Sequence, residues 1–369
     1  MRALFYSGET TWSGCARTFV AAARGLAARE HSVTVVCCGG SVVERTAMAS
    51  GLDVLPIDGD ASAVGDAWWL RRVMQQRSIE TAFVHTDREQ LVVSSAMRLA
   101  ERGGVVRRVP SFRSPDFLRR GRFAARMAAT GLLFSSEREL QAAKHSPLLA
   151  ALPIPSTVAP LGVDATAYDD VRPAVRASIG APGRGLLIAC PYDPGSRIRL
   201  ATAMRTLALL LPRHPEIHLA VLGPGSLDED LQMHAAALGL STFVAFLGQR
   251  DDATSILRAS DVVWVTASGD EGAFAFLDAM AMRIPVLAER GEMPQHYVAD
   301  GITGVLLSPG APSHTAASVA AFLANQERRT AMGNAGRTRV QREFPERAMI
   351  DGFELALHTA GDRARWTTR

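Results

Sequence analysis

The residues with the most chemical promise lie in one run, Ser268-Gly269-Asp270-Glu271-Gly272-Ala273-Phe274-Ala275-Phe276-Leu277-Asp278. The apolar stretch from Asp261 to Thr266 ends just before it, so a strand gives way through a small-residue acidic turn to a helix. Backbone N–H groups at a helix start lack intrahelical partners, and phosphate binds there. The expected donors are the N–H groups of Gly272 and Ala273, with Phe274 next to them. The helix dipole adds about 0.3–1 kcal/mol for an anion at an exposed site. Asp278 follows about two turns into the helix, on a face that can return to the same crevice. A carboxylate there can accept two hydrogen bonds from ribose hydroxyls. The same residues also read as an N-cap followed by a solvated carboxylate, and the local pattern alone leaves both readings open.

The elements that must position this run are legible on either side of it. In the first half, the runs Ser32–Cys37, Leu52–Ile57 and Thr81–His85 read as strands, with helical patterns at Arg17–Arg29 and Trp69–Arg77 between them. The second half repeats the alternation. Gly185–Cys190, His218–Gly223, Phe243–Gly248, Asp261–Thr266, Ile284–Ala288 and Gly304–Leu307 are strand-like, and a helix from Ile198 to Leu211 is ended by Pro212 and Pro215. Strands alternating with helices imply parallel sheets covered on both faces. Open sheets of this kind bind ligands at the carboxyl ends of their strands. The segment from Pro153 to Pro173, rich in Pro and Ala, is the best linker candidate.

Composition bounds the function. With 369 residues, 47% of them hydrophobic, the chain exceeds what one core normally holds, and two domains are expected. No apolar run is long enough to span a bilayer, and no signal-peptide pattern opens the chain, so a cytoplasmic protein is expected. The cysteines Cys15, Cys37, Cys38 and Cys190 show neither Cys-x-x-Cys nor zinc spacing, so no metal is expected. The net charge is only +3, and no recognition motif appears, which argues against nucleic acid as a partner. Lys144 is the only lysine among 40 basic residues, so an individual arginine is weak evidence of a chosen ligand.

From Asp270 to Leu307 the chain resembles the retaining GT-B enzymes of glycosyltransferase family 4, also called group 1. Their pattern is Glu-x7-Glu, then Ala-Met-Ala-x-Gly-x-Pro-Val, then Asp-Gly-x-Thr-Gly. Here it runs Asp270-x7-Asp278, Ala279-Met280-Ala281, Ile284-Pro285-Val286 and Asp300-Gly301-Ile302-Thr303-Gly304. Weaker pieces of the resemblance extend along the rest of the chain. Ser13-Gly14-Cys15-Ala16-Arg17 is similar to the family's first glycine turn, and Arg29-Glu30-His31-Ser32-Val33 to its second strand entry. Pro160-Leu161-Gly162-Val163-Asp164 is similar to its hinge, and Gly223-Pro224-Gly225 and Phe246-Leu247-Gly248 to the loops around its nucleotide base. Phe344-Pro345-Glu346-Arg347 is similar to the start of its final helix.

The resemblance implies an α/β chain of GT-B fold, with two Rossmann-like domains facing a central cleft. Residues 1–165 would form the acceptor-side domain, 166–345 the nucleotide-sugar domain, and 346–369 a helix returning to the first. It implies a retaining glycosyltransferase that moves a sugar from a nucleotide-diphospho-sugar to a hydroxyl on a glycan, a lipid-linked sugar or a small molecule, with no separate cofactor. Gly14, Gly223, Gly225, Gly248, Gly272, Ala273, Phe274 and Asp278 would line the donor, and Asp270 or Glu271 would supply the first acid.

The departures qualify that reading. Both signature glutamates are aspartates, and Glu271 gives a six-residue gap to Asp278 if it serves instead. Pro191 and Ser196 stand where the family has an Arg and a Lys on the diphosphate, which leaves Arg197 and Arg199 as substitutes. Arg113 occupies the place of a family histidine near the reacting sugar, and His85 ends a strand nearby. The basic stretch from Arg107 to Arg126 is interleaved with Phe112, Phe117 and Phe123, and reads as a solvated face or as peripheral contact with an anionic inner membrane surface. A catalytically weak GT-B protein that assists a partner enzyme is the alternative to an active transferase.

Overall fold

The computed structural model describes residues 1–58, 62–101, 103–109, 129–145, 154–181, 183 and 185–367, with 363–367 described by backbone alone. The chain divides into two compact units. One comprises Met1–Leu161 together with Glu346–Arg369, and the other Gly162–Pro345.

The first unit is built on a seven-stranded sheet in the order β3-β2-β1-β4-β5-β6-β7. Its strands are β1 (Arg2–Ser7), β2 (Ser32–Cys38), β3 (Asp53–Ile57), β4 (Thr81–Val84), β5 (Gly104–Arg108), β6 (Gly131–Phe134) and β7 (Ser156–Val158). Every pairing is parallel. Parallel strands are buried on both faces, which is why β2 is a continuous run, Ser-Val-Thr-Val-Val-Cys-Cys, rather than an alternating one. Among its helices are α1 (Gly14–Ala28), α2 (Val42–Ala49), α3 (Ala63–Gln76), α4 (Asp87–Ala100) and α5 (Glu137–Lys144).

The boundary between the two units, at Leu161 and Gly162, falls inside the Pro153–Pro173 linker candidate. That segment also contains β7, an edge strand three residues long that is too short to show periodicity between its flanking prolines. One sequence expectation changes here. Arg107 and Arg108, the start of the supposed basic surface, are the last residues of β5 and are buried. Arg107 lies 3.5 Å from Asp87, and Arg108 is 1% exposed. The rest of that stretch, Arg113 included, falls outside the described residues.

The second unit carries a six-stranded parallel sheet in the order β10-β9-β8-β11-β12-β13. Its strands are β8 (Leu186–Pro191), β9 (Ile217–Leu222), β10 (Val244–Phe246), β11 (Val262–Trp264), β12 (Val286–Glu289) and β13 (Gly304–Leu307). Its helices include α6 (Arg197–Leu210), α7 (Glu229–Ala237), α8 (Ala253–Arg258), α9 (Gly269–Ala281), α10 (Glu292–Tyr297), α11 (Pro312–Ala324) and α12 (Gln326–Glu343). Leu200, Met204 and Leu207 of α6 and Val319 and Phe322 of α11 pack with the sheet residues Ile188, Leu219 and Val262 in one core. Strand order reverses between β8 and β11, so the loops leaving these two neighbours diverge to opposite faces and open a crevice at their carboxyl ends.

The last helix, α13 (Glu346–Thr367), belongs to the first unit. Phe353 inserts among Phe5, Phe19 and Phe83, with ring centroids 5.9, 6.4 and 5.3 Å away. Arg24 pairs with Glu346 at 2.7 Å, and His31 Nε2 lies 2.9 Å from Glu354. Among the described residues, no helix is long and apolar enough to cross a membrane.

Candidate active site

In the second unit the turns leaving β8, β9, β10 and β11 converge at the carboxyl end of the sheet. Thr266 and Ala267 donate their backbone N–H groups to Pro191 O at 3.2 and 3.0 Å, and Thr266 Oγ1 donates to the same oxygen at 2.9 Å. Gly223 N–H donates to Gly248 O at 2.9 Å, and Gly248 N–H to Ser226 Oγ at 2.9 Å. Gly223 has φ +128°, and a Cβ there would stand 2.1 Å from Tyr192 O. Only glycine lets the β9 turn approach the β8 turn this closely. Gly225 and Gly248 complete the cradle.

Helix α9 starts at the head of this crevice. Its N-cap, Ser268, makes no side-chain capping bond. Gly272 N–H donates to Ser268 O at 3.1 Å and closes the first helical turn, so the sequence expectation needs correction. Gly272 and Ala273 lie inside the helix, and the N–H groups that lack an intrahelical partner belong to the preceding turn, at 269–271. Gly272 is required for packing instead, because a Cβ would sit 2.3 Å from Ala267 O and 2.6 Å from Met293 Cε. Asp270 is 1% exposed, Glu271 is half-buried, and Phe274 is buried.

Asp278 is not a solvated carboxylate. It is 7% exposed and accepts a 2.5 Å hydrogen bond from Tyr168 Oη. Tyr168 ends the short 3-10 helix Ala165–Tyr168, whose neighbour Asp169 is held by Arg337 at 2.8 Å. Asp278 is legible in the motif, whereas Tyr168, 110 residues away in the chain, is not.

Both substitute cations already carry hydrogen bonds, and Arg199 does so on the turn that leads into α9. Arg197 reaches Asp228 at 3.4 Å and Asp230 at 3.0 Å, at the start of α7. Arg199 Nε donates to Thr266 O at 2.7 Å, and its Nη2 is buried without a hydrogen-bond partner. Arg199 also faces Glu289, whose carboxyl is raised above its ordinary range by burial, against the pull of that guanidinium. A residue the sequence reading passed over, Asp193, joins the two central turns. Its carboxylate accepts Ser268 N–H at 2.5 Å, Ser268 Oγ–H at 3.0 Å and Gly195 N–H at 2.7 Å.

In the first unit a cavity of about 130 Å³ opens at the carboxyl ends of β1 to β4, with Tyr6, Glu9, Asp58, Asp66, Thr86 and Arg88 among its lining. Burial raises the Asp66 carboxyl, and Arg88, 3.7 Å away, opposes the shift. Gly14 opens α1 behind a Ser13 N-cap that accepts Ala16 N–H at 3.0 Å. His85 is buried after β4, with Nε2 3.3 Å from Glu9 and Phe19 edge-on to its ring. Glu9, Cys15 and His85 bring ligand atoms within 4.8 Å of one another, a set no spacing rule reveals. Arg108 Nη1 already lies 3.5 Å from Cys15 Sγ, so a guanidinium cation occupies that neighbourhood.

Residues 198–339 match the family described as Glycosyl transferases group 1. The chain is 29% identical over 148 residues to the lipopolysaccharide core biosynthesis glycosyltransferase LpsE of Rhizobium meliloti, covering 40% of this chain and 44% of that protein. It is 29% identical over 234 residues to a D-inositol 3-phosphate glycosyltransferase of Segniliparus rotundus, covering 60% and 51%. The chain thus spans about half the length of these curated relatives. Among solved structures, Anabaena HepE in complex with UDP and glucose superposes with TM-score 0.80 at 16% identity, over 97% of this chain and 100% of that one. WaaG, a glycosyltransferase involved in lipopolysaccharide biosynthesis, gives TM-score 0.67 at 16% identity over 95% and 99%. Two parallel α/β units of this topology give the chain a GT-B fold, and the match to the glycosyl transferases group 1 lies over its second unit.

Proposed function

We propose that this protein transfers a sugar from a nucleotide-diphospho-sugar to a hydroxyl acceptor, with retention of configuration. The observation that carries the reading is the crevice at the β8/β11 switch point, where the glycine turns, the first turn of α9 and the buried Asp278 converge within the segment that matches the family. The nucleoside would rest on the cradle of Gly223, Gly225 and Gly248. Asp278, oriented by Tyr168, would accept ribose hydroxyls, and the diphosphate would face the start of α9. The buried Asp270 and the half-buried Glu271, in that same turn, are the candidate acids for the sugar. The acceptor belongs to the first unit, whose cavity of carboxylates and one guanidinium suits a polyhydroxylated molecule. The lipopolysaccharide core for which LpsE is named, the D-inositol 3-phosphate of the Segniliparus relative and the UDP and glucose bound to HepE support this class.

In front-face displacement the leaving diphosphate departs on the side from which the acceptor attacks, so the protein's main task is to stabilise charge on that phosphate. Losing one preorganised electrostatic donor typically costs about 10²–10³ in rate. Pro191 and Ser196 supply no charge, Arg197 pairs with Asp228 and Asp230, and Arg199 is anchored through Nε on Thr266 O. This favours a second reading, a weakly catalytic GT-B protein that binds donor or acceptor beside a partner enzyme.

A thermal-shift screen with UDP, GDP, ADP and their sugars tests the site. A ligand at a hundred times its Kd adds about 2.7 kcal/mol of stability. A shift with one base and transfer of its sugar to a polyol is expected. A shift without transfer or hydrolysis selects the second reading, and no shift with any of them refutes the donor site.

A further inference from the structure

We infer that the outer face of α3 and α4, in the first unit, docks on an anionic lipid leaflet. Docking of this kind does not require the second unit to turn over a donor.

The two helices pack side by side. Each buries one stripe, with Leu70 and Met74 of α3 and Val93 and Met97 of α4 joined in one core. The opposite stripe of a surface helix is normally polar. Here it carries Val64, Trp68 and Trp69 on α3 and Leu91 and Leu99 on α4, all of them exposed. Trp68 is 52% exposed and Trp69 37%, so neither ring is used up in the core. Val64 and Trp68 are one helical turn apart, and Leu91 and Leu99 two turns, so each pair runs along one side of its helix. The two stripes are also joined to each other. The Arg71 guanidinium lies over the Trp68 ring, 5.6 Å from its centroid, and Arg71 Nε donates to Leu99 O at 2.9 Å.

The charge on this face has one sign. Arg72 and Arg98 are exposed and Arg71 is half-buried. Of the acids in the two helices, Asp66 and Glu89 are buried, and Asp87 lies 3.5 Å from Arg107. Asp58 and Glu101 are exposed, but both lie beyond the helix ends. The chain as a whole carries only +3, and other surface arginines sit beside acids, as Arg24 does with Glu346 and Arg250 with Asp252. A face of arginine without exposed acid therefore does not follow from an arginine-rich composition. Tryptophan suits the boundary between headgroups and acyl chains, because its ring is apolar and its N–H is not. Arginine beside it can lay its stem along the apolar surface and pair its head with lipid phosphate. The combination fits a negatively charged leaflet.

This face ends at the cavity of the first unit. Asp66, two residues from Val64, and Glu89, two residues from Leu91, line that cavity. On the acceptor reading given above, docking sets the cavity beside the leaflet, where a lipid-linked hydroxyl would be presented.

The test is cosedimentation of the full chain with vesicles of phosphatidylcholine alone and of phosphatidylcholine mixed with phosphatidylglycerol, at low and high salt. Wild type is compared with Trp68→Ser/Trp69→Ser and with Arg72→Gln/Arg98→Gln. The arginine variant changes only exposed side chains, and it carries the test if the tryptophan variant does not fold. Wild type should bind the mixed vesicles, bind neutral ones more weakly, and release as salt rises. The arginine variant should bind the mixed vesicles roughly tenfold more weakly or worse, since one arginine near an anionic leaflet contributes about 1 kcal/mol, or about fivefold. The tryptophan variant should lose binding to both kinds of vesicle, and brominated lipid should quench wild-type fluorescence more than that of the variant. Absence of binding to the mixed vesicles, equal binding to both kinds, or undiminished binding by either folded variant overturns the inference. A wild-type dimer that either variant converts to a monomer on size exclusion also overturns it, because a second copy would then cover the face.

Discussion

Asp278 and Tyr168 show how one residue can serve the fold and the site together. A buried carboxylate without a donor is costly, and the Tyr168 hydroxyl provides one at 2.5 Å. Asp278→Ala would strand that hydroxyl, so the variant should lose stability as well as any hold on ribose. Removing one partner of a buried hydrogen bond typically costs about 1–3 kcal/mol. Tyr168→Phe should cost a similar amount, and the double variant less than the sum of the two, because one interaction is lost in all three. Urea unfolding of the four proteins measures this. Additive losses would mean that the two side chains do not interact in solution. Among the cysteines, burial pushes the Cys190 thiol up to about 12, so it is a core residue and not a nucleophile.

At the scale of elements, α13 is held to the first unit by apolar packing and by a patch of charge. Arg29 pairs with Asp351 at 2.6 Å and with Glu354, and His31 lies 2.9 Å from the same Glu354. The Glu354 carboxyl is held below its usual range, first by the His31 hydrogen bond and then by Arg29. A carboxylate whose pKa is lowered by folding contributes stability above its unfolded value of about 4.3, and the contribution disappears as pH falls through the lower folded value. Acidification from about pH 5 to pH 3 should therefore lower the melting temperature of the wild type more than that of Glu354→Gln. Parallel losses in the two proteins would count against the patch. The pair is partly solvated, so its share of total stability is modest. Helix α9 makes a complementary point about its glycine. The pattern placed Gly272 on a ligand, whereas the fold uses it to bring the helix against Ala267 O.

At the scale of the molecule, the second unit is a single stretch, Gly162–Pro345, and the first is two stretches separated by 184 residues of chain that belong to the other. Gly162–Pro345 has its own sheet and core, so this fragment should fold alone with one cooperative melting transition. Residues 1–161 alone should not, because Phe353 and its neighbours on α13 fill the space beside Phe5, Phe19 and Phe83. Circular dichroism and limited proteolysis of the two fragments would check this. A stably folded 1–161 fragment would show that α13 is dispensable to the first unit.

The sequence by itself determined the alternation of strands and helices, because burial on both faces of a parallel sheet demands long apolar runs such as Val33 to Cys38 and Leu186 to Cys190. It also located Asp278 and the acidic start of α9, whose order and spacing are local. It could not show which way a side chain turns once strands far apart in the chain lie side by side. Arg197 turns to Asp228 and Asp230, and Arg108 disappears into the sheet. Asp193 crosses to Ser268 and Tyr168 reaches Asp278, each through a contact between distant stretches of chain. Such pairings depend on the register of neighbouring strands and on which group finds a partner when water is removed, and only the tertiary structure decides them.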